Sequence, residues 1–93
     1  MTKLNSIIFP DIYPSLDLHG YDRQTARVAI NDFILDNRII GNSIVTIVHG
    51  VGSGILRQTT SLTLKKNKLV IDFKLDNFNH GMTLVEIDIK KEI

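Results

Sequence analysis

The sequence feature that most constrains the fold is a glycine-rich stretch, HGVGSG, at residues 49–54. The residues before it, from Ile44 to Val48, are mostly apolar and β-branched, which is typical of a buried strand. The residues after it, beginning at Ile55, follow a helix pattern. A strand that continues through a glycine turn into a helix leaves free backbone N–H groups at the helix N-terminus, where the helix dipole also favours an anion. The stretch therefore predicts a strand–turn–helix unit that binds phosphate.

The composition is that of one small globular domain. Its 93 residues, 43% of them hydrophobic, are enough for a single core. The chain has no cysteine, which excludes disulfides and thiolate metal sites and favours a reducing, cytoplasmic compartment. The short apolar run at residues 7–9 is broken by Pro10, so we predict neither a signal peptide nor a membrane span. A net charge of +1 is low for a nucleic-acid-binding protein, so phosphate recognition must be local.

Hydrophobic periodicity predicts the element order βαβαββ. Residues 1–14, which contain Pro10 and Pro14, are predicted to be an extended lead-in that lies against the domain body, residues 15–93. In the second helix, Ile55, Leu56, Leu62 and Thr59 are expected to face inward. The strands are predicted at residues 15–20, 44–48, 69–75 and 82–89, and the helices at residues 23–39 and 55–66.

Two right-handed crossovers place both helices on one face of the sheet. Polar residues at outward positions, among them Thr46 and Glu86, are consistent with a second face that is open to solvent. We therefore predict an α/β fold, a two-layer sandwich with a mixed four-stranded sheet. The sequence does not predict the strand order.

Two histidines and a carboxylate are predicted at one edge of this sheet. Asp17 and His19 are two residues apart on a strand, so the carboxylate can orient or stabilise the imidazole. His49 ends the second strand, at the edge where α/β sheets bind ligands. Counting by twos puts His49 in phase with Val45 and Ile47, so His49 either leaves strand geometry or is partly buried. The three residues predict acid–base chemistry at a phosphodiester.

Purely structural interpretations of the same residues remain open. Asp17 could cap the neighbouring turn, His19 could be a surface histidine, and His49 could be a hydrogen-bonded core histidine at a strand end. The glycines could serve only a tight turn, and the cations could be solvated. The predicted phosphate or nucleic-acid contacts are Gly50, Gly52, Ser53, Gly54, Arg57, Arg23 and Lys65. Phe33, Phe73 and Phe78 are predicted to lie in the core, which disfavours an RNA-stacking module.

Three motifs resemble those of the small MutS-related (Smr) domain family, in the same order and spacing. They are LDLHG at residues 16–20, HGVG at residues 49–52 and GMTLVEI at residues 81–87. The resemblance spans about residues 15–89 and implies a fold similar to the C-terminal domain of translation initiation factor three. It also implies a nucleic-acid-binding domain with endonuclease activity on DNA or RNA, as in MutS2 proteins and ribosome-associated nucleases. Asn79 and His80 depart from the family pattern, because many members have another glycine before Gly81.

The sequence is therefore consistent with two functions. In an endonuclease, Asp17 would hold His19, one of His19 and His49 would act as general base, and the other would protonate the leaving oxygen. With RNA the 2′-hydroxyl could attack without a metal. With DNA, water must attack and a divalent cation, Mg²⁺ or Mn²⁺, would assist, although no full ligand set is visible and no metal site is predicted. The alternative is a non-catalytic module that binds nucleic acid or the ribosome; no membrane partner is predicted, and the oligomeric state is left open.

Overall fold

The computed structural model describes residues 3–7 and 10–90 as a four-stranded sheet with two helices. The strands are β1 (Ser15–Asp17), β2 (Ile44–Val48), β3 (Val70–Leu75) and β4 (Met82–Ile87), and the helices are α1 (Arg23–Ile40) and α2 (Ile55–Lys66). The predicted fold class and element order are confirmed. Within the described residues, none of the helices has the length and apolar character needed to cross a membrane.

The sheet has the strand order β1-β2-β4-β3. β1 and β2 are parallel, with Asp17 opposite Val48, and β4 is antiparallel to both of its neighbours. Val48 pairs with Met82, and Leu75 pairs with Thr83. The carboxyl ends of β1, β2 and β3 therefore lie at one edge of the sheet, beside the start of β4. We call this edge the carboxyl rim and define it as residues 17–21, 49–54 and 76–81.

Both helices cover the same face of the sheet. The apolar stripe of α1 buries Ala26, Ile30 and Ile34 together with Val45 and Ile47 of β2 in one core cluster. Asp22 caps α1 by accepting the N–H of Thr25 at 2.7 Å, and Gly41 ends the helix in the left-handed conformation. This layer buries β2 against α1, and β2 in turn sets the position of the glycine turn that follows it.

The inward face predicted for α2 is wrong for Ile55 and Leu62, which are 43% and 50% exposed. The residues buried instead include Thr60 and Thr63. Their hydroxyls donate to the carbonyls of the residues four positions earlier, at 2.8 and 2.7 Å, so the threonines can be buried without an unpaired polar group. Because α2 buries the side that carries these threonines, Leu62 lies on its outer surface.

The prediction of an open second face is also wrong. The lead-in, which contains short 3₁₀ helices at Lys3–Ser6 and Pro10–Ile12, packs on that face. Leu4 is 1% exposed and forms a second apolar cluster with Ile44, Met82 and Leu84. Part of the apolar run at residues 7–9 lies outside the described residues. The lead-in therefore covers the second face at Ile44, Met82 and Leu84, whereas the carboxyl rim keeps exposed residues.

Candidate functional site

The glycine turn opens α2 without a side-chain cap. Gly54 is the N-cap residue, with φ 83° in the left-handed region, and no cap hydrogen bond is made by a side chain at this position. Ser53 Oγ accepts the N–H of Ile55 only at a long 3.4 Å. Within the described residues, the backbone N–H groups of residues 51–54 donate no hydrogen bond. The start of α2 therefore keeps donors available for an anion.

Gly81 of the β3–β4 loop anchors this turn. Its carbonyl accepts the N–H of His49 at 2.9 Å and the N–H of Gly50 at 3.0 Å. A Cβ on Gly81 would lie 3.2 Å from the Cα of Gly50, so the close approach favours glycine. Since the first two amides of the turn are occupied, the available donors begin at residue 51. Gly81, the first residue of the GMTLVEI motif, thus holds the HGVG motif in place.

His49 is buried, and both of its ring nitrogens have partners. The sequence left two alternatives for His49, departure from strand geometry or partial burial. Its exposed fraction of 8% supports burial. Nδ1 lies 3.0 Å from the Gly50 carbonyl oxygen, and Nε2 lies 2.8 Å from Thr83 Oγ1. Because a carbonyl can only accept, Nδ1 carries a proton, and in the neutral ring Nε2 accepts from the Thr83 hydroxyl.

The surroundings of His49 favour this neutral form. Burial lowers the pKa of His49 below its usual 6.5, the bond to the Gly50 carbonyl opposes the shift, and the charge of Arg57 adds to it. The positive charge of Arg57 therefore disfavours a second positive charge on the imidazole of His49.

This pKa shift predicts that the domain loses stability in mild acid. The unfolded chain, with the usual His49 pKa of 6.5, takes up a proton at a higher pH than the folded chain does. The His49 contribution to the free energy of unfolding is therefore fully present above 6.5 and is lost as the pH falls toward the lower folded pKa. Urea unfolding at a series of pH values, and an NMR titration of the His49 ring, measure this. A ring midpoint at or above 6.5 would contradict it.

Asp17 and His19 lie at the exposed part of the carboxyl rim. Asp17 Oδ1 accepts the backbone N–H of His19 at 2.9 Å, and this bond, with the Tyr21 N–H donating to the Leu18 carbonyl at 2.9 Å, ends β1 earlier than predicted. Asp17 thus makes the turn-capping contact that the structural interpretation of the sequence predicts for it. The His19 side chain is exposed, whereas His49 follows the phase of Ile47 into the helix side of the sheet. The two histidines share a rim but differ in burial.

The predicted cations fall into two grooves on either side of α2. Arg57 and Lys65 line a groove of about 510 Å³, which also contains Ser53, Gly54 and Leu75. Arg23 lies in the other groove, of about 440 Å³, between the two helices, beside Arg27 and Lys66. The structure therefore brings Ser53, Gly54, Arg57 and Lys65 together and places Arg23 apart from them.

Charge is distributed unevenly along the chain. Residues 49–68 contain four lysines and arginines and no aspartate or glutamate. The low net charge thus hides a basic segment that includes the glycine turn and the whole of α2. Counting charge by element, rather than over the chain, would have found this signal in the sequence.

The prediction that Phe78 lies in the core is wrong. Its side chain is 87% exposed, whereas Phe33 and Phe73 pack partly buried against the main cluster. The physical reason is that β3 ends at Leu75, so Phe78 lies in the following turn and is no longer in phase with the strand. The sequence does indicate a turn here, because the turn-forming residues Asp76, Asn77 and Asn79 surround Phe78.

A metal site needs several donor side chains close together. Within residues 3–7 and 10–90, no group of three or more histidine, aspartate or glutamate side chains is arranged to hold a metal ion. The donor set at the carboxyl rim therefore does not fit a resident metal, and no chemical step is assigned to one.

Comparison with known proteins identifies similar chains. A profile of the Smr domain family matches residues 16–88. Endonuclease MutS2 of Clostridium perfringens is 36% identical over 78 residues, which cover 84% of this chain and 10% of that protein. Endonuclease MutS2 of Clostridium novyi is 33% identical over 88 residues, which cover 91% of this chain and 11% of that protein. This chain therefore spans about a tenth of the length of these curated relatives.

Two solved structures share the fold. The Smr domain of Thermus thermophilus MutS2 superposes with a TM-score of 0.77 at 28% identity, covering 80% of this chain and 96% of that one. YdaL, a stand-alone small MutS-related protein from Escherichia coli, superposes with a TM-score of 0.75 at 23% identity, covering 81% of this chain and 66% of that one. The order and packing of the elements are therefore those of this structural group.

Proposed function

The chain belongs to the Smr domain family, and we propose that it binds nucleic acid and cleaves the phosphodiester backbone. The observation that supports binding most directly is the uncapped start of α2, where Ser53, Gly54 and Arg57 line one groove. The similar MutS2 proteins are named endonucleases, but this chain spans only about a tenth of their length. We infer cleavage by this domain from its own geometry together with its similarity to those proteins.

In this proposal a backbone phosphate binds at the start of α2. The amides of residues 51–54 donate to its oxygens, and the helix dipole stabilises its charge. Arg57, one turn into the helix, can donate two parallel hydrogen bonds to the same group. Lys65, two further turns along and about 12 Å away by helix rise, meets a neighbouring phosphate of the same strand. The groove along α2 thereby follows the nucleic-acid backbone.

The chemical step uses the two histidines in different roles. Neutral His49 takes the proton of the attacking hydroxyl once its bond to Thr83 opens, and His19 donates a proton to the oxygen that leaves the phosphorus. One P–O bond forms as the other breaks, so charge and protons balance. In RNA the attacking group is the neighbouring 2′-hydroxyl, and in DNA it is water. Asp17 positions His19 by holding its backbone N–H.

A non-catalytic binding module is the second candidate, and one observation favours it. Both nitrogens of the His49 ring already have internal partners, Gly50 and Thr83, as expected for a histidine that only stabilises the turn. In that case the same groove would bind nucleic acid or a ribosomal RNA surface without cutting it. Another domain would then supply the chemistry.

Cleavage and binding assays on the same purified domain separate the two candidates. Single-stranded RNA and supercoiled DNA are incubated with the domain, with and without chelator, while fluorescence anisotropy measures binding of labelled oligonucleotides. The endonuclease proposal expects cleavage that depends on the domain. Binding without cleavage would support the module, and the absence of binding to either nucleic acid would contradict both.

The substitution Arg57→Gln is expected to weaken nucleic-acid binding by about tenfold, because it removes a charge that contacts phosphate. The dependence of log affinity on log salt should also become shallower by about 0.7 for a single strand. Anisotropy titrations at several salt concentrations measure both effects. The matched control is Lys90→Gln, which removes the same charge from an exposed residue after β4. An equal loss in the two variants would indicate a diffuse charge effect and contradict the assigned contact.

A further inference from the structure

Phe78 has the highest exposed fraction among the large apolar side chains in the described part of the chain, at 87%. Single exposed apolar residues are common on protein surfaces and need no special explanation by themselves. Phe78 differs from such residues in two respects. The loop that carries it is held by hydrogen bonds, and that loop lies beside the basic groove.

The loop is fixed by hydrogen bonds at both ends. Asp76, whose side chain is 4% exposed, accepts the backbone N–H groups of Phe78 at 3.2 Å and Asn79 at 2.8 Å through Oδ2. The side chain of Asn79 accepts the N–H of Gly81 at 2.9 Å, and the Asp76 N–H donates to the Met82 carbonyl at 3.0 Å. The ring of Phe78 is thus held in solvent by an ordered turn, so binding through it requires little further loss of backbone freedom.

Both ends of the loop touch the phosphate site. Leu75, at its start, lines the groove that contains Ser53, Gly54 and Arg57. Gly81, at its end, bonds to the first two amides of the glycine turn. The Cα of Phe78 is three residues from that of Leu75, and so at most about 11 Å from it along the chain. An oligonucleotide that places a phosphate at the start of α2 therefore has its neighbouring bases within reach of this ring.

We propose that Phe78 stacks on an unpaired nucleobase next to the bound phosphate, and that the domain therefore selects single-stranded or locally unpaired nucleic acid. This inference rests on the proposed binding of backbone phosphate at the start of α2. An exposed aromatic ring beside a cationic groove is the arrangement used to bind single strands, because every base presents a flat apolar face. In a duplex those faces are covered by neighbouring bases, so the ring gains nothing there.

Two substitutions at Phe78 test the proposal. The chain contains no tryptophan, so Phe78→Trp introduces a single fluorophore at the stacking position. Its emission should be quenched by a single-stranded oligonucleotide and not by the matching duplex. Phe78→Ala should weaken single-strand binding by about tenfold while duplex affinity stays within about twofold. The matched control is Ile71→Ala, which removes a 57% exposed apolar side chain from β3 and should change neither affinity.

The outcomes separate this inference from the proposed function. If the wild-type domain binds single strands and both Phe78→Ala and Ile71→Ala bind equally well, stacking is wrong and phosphate binding stands. An introduced tryptophan whose emission responds to protein concentration and not to oligonucleotide would also overturn stacking, and would assign the ring to a contact between copies of the chain. If the wild-type domain binds no nucleic acid, the proposed function and this inference both fail.

Discussion

Replacement of His19 by alanine is expected to lower the cleavage rate by at least about 100-fold while nucleic-acid affinity stays within about twofold. The loss follows from the removal of the exposed group that protonates the leaving oxygen. The fold should persist, because the hydrogen bond between Asp17 and residue 19 uses the backbone N–H rather than the ring. Single-turnover cleavage and anisotropy on the same preparation measure the two quantities.

The control for this prediction is His80→Ala. His80 is also an exposed histidine of the carboxyl rim, and it has no assigned role in the chemistry. It should retain the wild-type rate. Equal losses in His19→Ala and His80→Ala would remove the case for His19. Cleavage that survives in both His19→Ala and His49→Ala would instead indicate a contaminating nuclease.

Replacement of Gly81 by valine is expected to lower the free energy of unfolding by about 1–3 kcal/mol and to weaken nucleic-acid binding as well. The added Cβ would lie 3.2 Å from the Cα of Gly50, so the backbone of the glycine turn would have to shift by a few tenths of an ångström to admit it. The bonds from the Gly81 carbonyl to the amides of His49 and Gly50 would then lengthen. Urea unfolding and anisotropy measure the two losses.

The same substitution at Gly52 provides the matched control. A Cβ at Gly52 meets no atom within 4 Å, and its φ does not lie in the left-handed region, so stability should change by less than about 0.5 kcal/mol. Binding should still fall, because the valine side chain would occupy the approach to the free amides of the turn. Unchanged affinity in Gly52→Val would contradict the phosphate site. Wild-type stability in Gly81→Val would contradict the role of Gly81 as the anchor.

Much of the fold could be predicted because the elements have clear periodicity. The bounds of β2 and α2, Ile44–Val48 and Ile55–Lys66, are those that the strand pattern and the glycine turn indicate. The strand order could not be predicted, because alternation shows which residues share a face but not which strands are neighbours. The inward face of α2 was misassigned because hydrophobicity alone does not show that a threonine can bond back to its own helix.

The surroundings of the predicted site residues could be deduced from the sequence only in part. The phase of His49 with Ile47 indicated burial from the sequence. Its two ring partners did not follow from the sequence, because Thr83 is 34 residues away and reaches His49 only through the pairing of β2 with β4. The sequence also did not predict that the second face of the sheet is covered. Leu4, which packs on that face, belongs to a segment without hydrophobic periodicity.

The most direct test is where nucleic acid binds. A ¹⁵N-labelled domain is titrated with a single-stranded oligonucleotide that carries 2′-O-methyl groups and is not cleaved, and the backbone amide shifts are followed. The largest changes are expected at residues 51–54 and Arg57, with further changes at His19 and Phe78. Changes confined to other surfaces, while the amides of residues 51–54 stay unmoved, would contradict phosphate binding at the start of α2.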